Sequence, residues 1–248
     1  MKTGLVDLHC HYLPTVDDGA GTLADGLALL RKAHADGIRQ VVLTPHIHLN
    51  RYPNIASLLH PRFLAFRQAA SAQGIDIELA LGGEVRVSDD LFALVERGEI
   101  PFYEGVYGQR AMLLEFSPGH LPPGWQNLLR WLKQRDIVPV IAHPERNKEV
   151  MRHPELVRDM LLEGCLIQVT AAAVIGNFGP KVEGIAKAIL AKGWCTLLAS
   201  DAHDVQRRPP VLQAGALAAA KIVGESRAWD MVTRVPAGLA FGARAGAK

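Results

Sequence analysis

Leu5-Val6-Asp7-Leu8-His9-Cys10-His11 is a short apolar run that ends in two histidines. Alternate side chains of a strand share a face, so His9 and His11 point one way and Cys10 the other. Their Cα atoms are then about 7 Å apart, which suits two imidazoles facing one cavity. The pattern of an apolar run closed by a histidine or an acid repeats outward from here. Runs at Gln40–Thr44, Ile77–Gly82, Met112–Phe116, Val138–Ala142 and Thr196–Ser200 carry His46, Glu84, Glu115, His143, and Asp201 with His203 at or just past their ends. Leu166–Thr170 is a further β-rich run.

Helical periods separate these runs, at Leu23–Ala35, Ala56–Ala72, Asp89–Glu96, Trp125–Gln134, Pro154–Leu162, Val182–Lys192 and Val211–Val223. Thr22 with Asp25 three residues on marks the first helix start. Strand–helix alternation repeated about seven times predicts a parallel sheet with helical crossovers. In an open sheet of that size the first and last strands are too far apart to share a site. In a barrel all strand C-termini converge on one face. The polar strand ends therefore predict an α/β fold, a closed or nearly closed (β/α)7 barrel forming one domain over 1–248. Beyond Gly224, Ser226–Val232 reads as a short helix and Pro236 as the start of another, and the stretch as a whole reads as a solvated terminus in preference to a basic face for an acidic partner tail.

Composition agrees with one globular domain. The 248 residues are 49% hydrophobic and 21% charged, outside the range of disordered chains. Lys and Arg total 27 against 25 acids, a net charge of +2. That excludes the concentrated basic face of a nucleic-acid binder. No apolar stretch reaches the ~20 residues of a membrane span, and the N-terminus turns polar too soon for a signal peptide. Three isolated cysteines, Cys10, Cys165 and Cys195, fit a reducing compartment. Cytoplasmic residence is the expectation.

The ten histidines are the unusual count. His9, His11, Asp18, His46, Glu84, Glu115, His143, Asp201 and His203 form one candidate ligand set. Nine N/O ligands exceed the needs of one ion and suit two or three divalent cations about 3.5–4 Å apart. Mixed His and carboxylate donors favour Mn, Fe or Zn over Mg. Arg146, three residues past His143, offers a bidentate fork for phosphate oxygens, with an ion pair to Glu145 or Glu149 as its alternative. His48 reads as a surface residue, and His34, His60 and His153 as solvated. His120 is a candidate partner for Glu115. Cysteine-based phosphoryl chemistry is excluded. It needs an Arg six residues past the thiolate, and those positions hold Val16, Ala171 and Asp201.

Together Asp7–His11, Val16-Asp17-Asp18-Gly19, Thr44-Pro45-His46, Gly83-Glu84, Leu114-Glu115-Phe116, Ile141–Asn147, Gln168-Val169-Thr170-Ala171 and Ala199–His203 resemble the CpsB/CapC-type protein-tyrosine phosphatases. These are a bacterial branch of the PHP (polymerase and histidinol phosphatase) superfamily. The resemblance runs in order from about Val6 to about Pro210. It implies a distorted, TIM-like (β/α)7 barrel with a centre of three metals, usually Mn, held by the nine residues above. It implies a phosphate-binding role for Arg146. It also implies a phosphotyrosine-bearing protein substrate, the tail of a membrane tyrosine autokinase controlling capsule or exopolysaccharide synthesis. Many relatives read Thr-Pro-His-His where this chain has Thr44-Pro45-His46-Ile47, and often carry Pro where it has Ser117. Arg51-Tyr52-Pro53-Asn54 keeps the family's Tyr and Asn spacing, which puts Arg51 and Tyr52 at the cleft rim as substrate contacts.

The expected reaction is ester hydrolysis by a metal-bridged hydroxide, with Arg146 stabilising the phosphoryl charge. A tyrosine leaving group needs little acid, and His203 or a metal-bound water could supply it. Three alternatives compete. One is another PHP phosphoesterase acting on histidinol phosphate or a nucleotide. The second is an amidohydrolase, disfavoured because strand four delivers Glu115 and no Lys. The third is a non-enzymatic module, disfavoured by the complete ligand set.

Overall fold

The computed structural model describes residues 4–105 and 110–241. Arg244 and Lys248 of the C-terminal tail lie outside the described residues. In chain order the first elements are β1 (Leu5–Asp7), α1 (Leu23–Ala35), β2 (Ile38–Leu43), β3 (His46–Ile47), α2 (Ala56–Ala72), β4 (Glu78–Leu81), β5 (Glu84–Arg86) and α3 (Asp90–Glu96). Next come β6 (Tyr103–Glu104), β7 (Arg110–Glu115), α4 (Trp125–Lys133), β8 (Ile137–Ala142), α5 (Leu156–Leu162), β9 (Leu166–Thr170) and α6 (Ala171–Val174). The chain ends with α7 (Pro180–Ala191), β10 (Leu197–Ala199), α8 (Leu212–Val223), α9 (Glu225–Asp230) and α10 (Arg234–Ala240).

The fold is mixed α/β with parallel sheets. One sheet has the order β1-β2-β4, the other β10-β9-β8-β7-β5-β3, with β6 antiparallel on β7. Two chain segments run through both sheets. Pro45 has no N–H for a ladder, and the strand breaks there into β2 and β3. Its neighbour breaks opposite, at Gly82-Gly83, into β4 and β5. Backbone bonds span the break, from Gly82 N to Leu43 O (2.8 Å) and from Glu84 N to Pro45 O (3.1 Å). A Cβ on Gly82 would come within 2.6 Å of the Tyr103 ring and 2.9 Å of Val42, so only glycine fits.

At the other edge, Cys10 pairs with Ala202 in a parallel bridge. His11 N donates to Ala202 O (2.9 Å) and Asp201 N to His9 O (2.7 Å). Asp7, fully buried, ties the same two chain ends together. Its carboxylate accepts from Ser200 N (2.9 Å) and Ser200 Oγ (2.5 Å). The extensions of the first and last strands therefore lie side by side.

The longer helices bury an apolar stripe, as their periodicity predicts. In α1 Leu27, Leu29, Leu30 and Ala33 are buried, and Thr22 Oγ1 caps Asp25 N at 3.2 Å. In α4 Trp125, Leu128, Leu129 and Leu132 face inward. A smaller apolar cluster holds Val6, Leu8, Val42, Tyr103, Leu113, Val140 and Leu197, and Val235, Leu239 and Phe241 pack against it. This corrects the expectation of a solvated terminus. Residues through 241 hold α9 and α10 against the body, with Ala228 and Val232 fully buried, because Val235, Leu239 and Phe241 give the segment an apolar side.

Candidate metal centre

The strand ends meet. His9 and His11 follow β1, His46 opens β3, Glu84 opens β5, Glu115 closes β7, His143 follows β8, and Asp201 with His203 follows β10. Asp18 joins them from the loop after β1. All nine predicted ligands fall into four overlapping groups whose donor atoms lie within 4.8 Å of one another. These are His11/Asp18/His46/His203, His9/His11/Glu84, His9/His143/Asp201 and His46/Glu84/Glu115.

The tautomers are arranged for coordination. His9 Nδ1 sits 2.9 Å from Gln168 Oε1, His11 Nδ1 2.7 Å from Asp17 Oδ2, and His203 Nδ1 3.0 Å from the Asp201 carbonyl. Each partner accepts, so Nδ1 carries the proton and Nε2 keeps its lone pair. The Nε2 atoms of His9 and His11 then face each other at 3.3 Å, which suits two ligands converging on a cation.

Glu84 is the hub. Its Oε1 lies 2.7 Å from His143 Nε2. Its Oε2 lies 2.8 Å from His46 Nδ1 and 3.4 Å from Nε2 of both His9 and His11. Among the described residues none gives this buried oxygen a hydrogen bond of proper direction. A buried carboxylate oxygen without a well-directed hydrogen bond and ringed by imidazole nitrogens is chemically suited to a metal ligand.

Two other carboxylates are split between cation side chains and the cluster. Asp201 Oδ1 is 3.3 Å from His9 Nε2 and 3.4 Å from His11 Nε2, while Oδ2 accepts from Arg146 and Arg208. Glu115 Oε2 accepts from Arg86 Nε (2.8 Å) and Nη2 (2.7 Å), and its Oε1 is 3.9 Å from His143 Nε2. His143 and Asp201 have φ of +33° and +50°, a left-handed backbone that side chains other than glycine rarely adopt.

Burial and charge push these groups apart. Burial lowers His46, but Glu84 and Asp18 outweigh it and lift the imidazole to about 9. Burial and the Arg146 charge take His143 down to about 4, and burial with His11 takes His203 down to about 3. Burial and Glu84 raise Glu115 to about 7. Asp201 is held well below the usual range, because Arg146 and His9 outweigh its burial.

A cleft of about 310 Å³ opens beside the cluster. Its lining joins the polar residues Asp18, His46, Glu84, Glu115, His143, Asp201 and His203 with the apolar Phe116, Pro118, Leu121, Ile141 and Pro144. Arg51, Arg86, Arg146 and Arg208 also line it. Arg146 pairs with Asp201 and lies 5.0 Å from the Phe178 ring centre, in place of the expected alternative pairing with Glu145 or Glu149. Tyr52 does not line the cleft. Its ring stacks on His46 at 5.4 Å, and the Arg51 guanidinium lies 5.0 Å from the Tyr52 ring centre. His120 is exposed, and Arg86 stands where it was expected beside Glu115.

The sequence did not single out Asp17, Gln168, Arg86 or Arg208 as site residues. Gln168 carried a signal, a polar side chain inside an apolar strand. Asp17 lay in the Asp17-Asp18 pair but only Asp18 was chosen.

The model of the family "Capsular polysaccharide synthesis, CpsB/CapC" matches residues 5–239. The chain belongs to the CpsB/CapC family. The tyrosine-protein phosphatase YwqE of Bacillus subtilis is 30% identical over 205 residues, covering 82% of this chain and 79% of YwqE. The tyrosine-protein phosphatase CpsB of Streptococcus pneumoniae is 28% identical over 241 residues, covering 94% and 96%. A crystal structure from the work on these two proteins, described there as metal-dependent tyrosine phosphatases, matches with a TM-score of 0.85 at 27% identity. It covers 92% of this chain and 91% of that one. Among the described residues no helix of this CpsB/CapC member is long and apolar enough to cross a membrane.

Proposed function

We propose that this chain is a metal-dependent protein-tyrosine phosphatase. Its ligands are His9, His11, Asp18, His46, Glu84, Glu115, His143, Asp201 and His203, and Arg146 binds the phosphoryl group. The observation that carries the reading is Glu84 Oε2, buried, without a hydrogen bond and ringed by the nitrogens of His9, His11 and His46. The donor chemistry fits two or three divalent ions, with three Mn the expectation and Fe, Zn or Mg the alternatives. When bound, the metals supply an activated water and offset charge on the phosphoryl oxygens.

The chain's own residues do the rest. Arg146 is oriented by Asp201 and Phe178 at the cleft wall, where its fork can meet equatorial phosphoryl oxygens. Arg208 adds a second guanidinium on the same carboxylate. The apolar wall of Phe116, Pro118 and Leu121 accepts an aromatic ring. His203 has Nδ1 engaged on the Asp201 carbonyl, which leaves Nε2 to act as a ligand, and a tyrosinate leaving group needs little acid.

The fold supports the same reading. Seven parallel segments, β1, β2/β3, β4/β5, β7, β8, β9 and β10, follow one another, and the Cys10–Ala202 bridge brings the last beside the first. We read this as a distorted (β/α)7 barrel with its site at the strand C-termini. The substrate is a phosphotyrosine-bearing protein, in this family's context the tail of a membrane tyrosine autokinase governing capsule or exopolysaccharide synthesis. Three free, buried cysteines support a cytoplasmic setting.

The test is Mn²⁺-dependent turnover of a phosphotyrosine peptide against a matched phosphoserine peptide and p-nitrophenyl phosphate. Hydrolysis of the phosphotyrosine peptide that needs added metal is expected. A metal-loaded enzyme that leaves this peptide intact would overturn the reading.

A further inference from the structure

Asn54 is not a candidate ligand, yet its side chain joins two ligand-bearing segments. Its Nδ2 donates to Val16 O at 2.9 Å and to His46 O at 2.8 Å. Val16 directly precedes Asp17 and Asp18 in the loop after β1. One amide nitrogen, with two hydrogens, therefore fixes the spacing between that loop and β3.

The segment that delivers Asn54 is itself folded back. His48 N and Tyr52 O (3.1 Å) and Tyr52 N and His48 O (2.7 Å) form a bridge, and Asn54 N donates to Tyr52 O at 2.7 Å. The Tyr52 ring lies nearly parallel to His46, at 9°. Residues 48–54 thus form a clamp that ends on the group His11/Asp18/His46/His203. That group holds the most exposed ligand side chains of the centre. Asp18 is 45% exposed and His46 16%, against 0–1% for His9, Glu84 and Asp201. The buried ligands have packing and their own partners, such as Gln168 on His9 and Arg208 on Asp201. Asp18 sits on loop backbone and His46 opens the two-residue strand β3, so their mutual placement depends on the hydrogen bonds between that loop and β3, those of Asn54 Nδ2 and that of His46 N to Asp17 Oδ2 at 3.0 Å.

We propose that Asn54 is a positioning residue for the metal position formed by His11, Asp18, His46 and His203. It helps hold Asp18 Oδ1 within 3.4 Å of His46 Nε2 and 3.7 Å of His203 Nε2, and so sets the affinity of that position most strongly, His46 being shared with Glu84 and Glu115. The group His9/His143/Asp201 lies on other strand ends and is not governed by it. The proposal rests on the metal-centre reading above.

The isosteric Asn54→Asp removes both donors and sets a carboxylate against two carbonyl oxygens, whereas Asn54→Ala only removes the donors. The full chain, stripped of metal by chelation, is titrated with Mn²⁺ by calorimetry, and bound Mn is counted by electron paramagnetic resonance. His143→Ala serves as a variant of the other group. In both Asn54 variants one Mn equivalent should weaken by about 10–100-fold while the equivalent assigned to His9, His143 and Asp201, which share no residue with that position, stays within about twofold of wild type. His143→Ala should weaken a different equivalent. Asn54 variants that bind every equivalent as wild type does, or weaken all alike, would overturn the proposal. If Asn54→Asp fails to fold, Asn54→Ala decides by the same criterion. A wild-type chain that binds no Mn²⁺ is a separate result, and it overturns the metal-centre reading instead.

Discussion

Arg146 donates to Oδ2 of Asp201 within the cleft, while Oδ1 of the same carboxylate faces His9 Nε2 at 3.3 Å. One side chain is thereby shared between the arginine proposed to bind phosphate and the proposed metal ligands. Arg208 holds the same Oδ2 at 2.7 Å and the Asp201 carbonyl at 3.1 Å. Asp201 therefore stays anchored when Arg146 is removed.

Arg146→Ala should lower kcat/KM on a phosphotyrosine peptide by about 10²–10³-fold, the usual cost of losing one donor aimed at developing charge. Bound Mn, measured on the purified variant, should match wild type because Arg208 remains. Arg146→Lys should recover only part of the rate, since a lysine lacks the planar fork. Wild-type turnover in Arg146→Ala would remove the residue from the mechanism. Lost metal would place it in the ligand scaffold.

Gly19 makes the loop after β1 possible. A Cβ there would lie 2.0 Å from His11 O and 2.5 Å from His11 Cβ, and neither backbone can yield without moving a ligand. Gly19→Ala should cost about 1–3 kcal/mol by overpacking. It should also weaken Mn²⁺ binding, because Asp17 and Asp18 move with the loop. Gly184→Ala, inside α7 with nothing within 4 Å of its added Cβ, is the control and should gain up to about 1 kcal/mol from helix propensity. Thermal unfolding and Mn²⁺ titration read both variants. A Gly19→Ala that binds metal normally would show that the loop has slack.

His9 and His11 were legible in the sequence because strand alternation fixes which side chains share a face, and His46, His143 and Asp201 because strand ends converge. The partners of those residues were not. Gln168 on His9, Arg86 on Glu115 and Arg208 on Asp201 meet across 159, 29 and 7 residues, and their meeting depends on how the loops close. The breaks at Pro45 and Gly82-Gly83 were hidden for a related reason. Each residue type signals an interruption, but only the paired strand shows that both fall at one level. The packing of α10 was missed because three apolar residues, Val235, Leu239 and Phe241, are too few for a clear helical stripe.

Asp36 gives the fold a pH dependence of known sign. It follows α1, and its Oδ2 accepts from Gln213 N at 2.9 Å at the start of α8. Burial raises its carboxyl to about 6, against the pull of the Gln213 and Leu212 amides. The folded chain then keeps a proton that the unfolded chain gives up at about 3.8. The stability it contributes is full below that value and is lost as pH rises through about 6. The substitution Asp36→Asn puts an amide there, which has no such proton to lose. The wild-type minus Asp36→Asn difference in unfolding midpoint should therefore fall between about pH 4 and about pH 6.5 and stay level above. A difference that is flat across the range would reject the shift.

Metal chemistry and thiol chemistry make opposite predictions for this chain. Cys10, Cys165 and Cys195 are 0–3% exposed, and burial raises all three thiols, Cys165 to about 12. A thiol with so little thiolate is a poor nucleophile and reacts slowly with alkylating agents. Iodoacetamide on the native enzyme should leave phosphotyrosine hydrolysis unchanged, with mass spectrometry showing no adduct. EDTA should abolish the same activity, and Mn²⁺ added in excess should restore it, because Glu84 and the histidines around it are the proposed metal ligands. Activity that survives complete chelation, verified by elemental analysis, would rule out the metal centre as the source of catalysis. Activity lost in step with alkylation of a single cysteine would instead point to a thiolate that the burial of all three excludes.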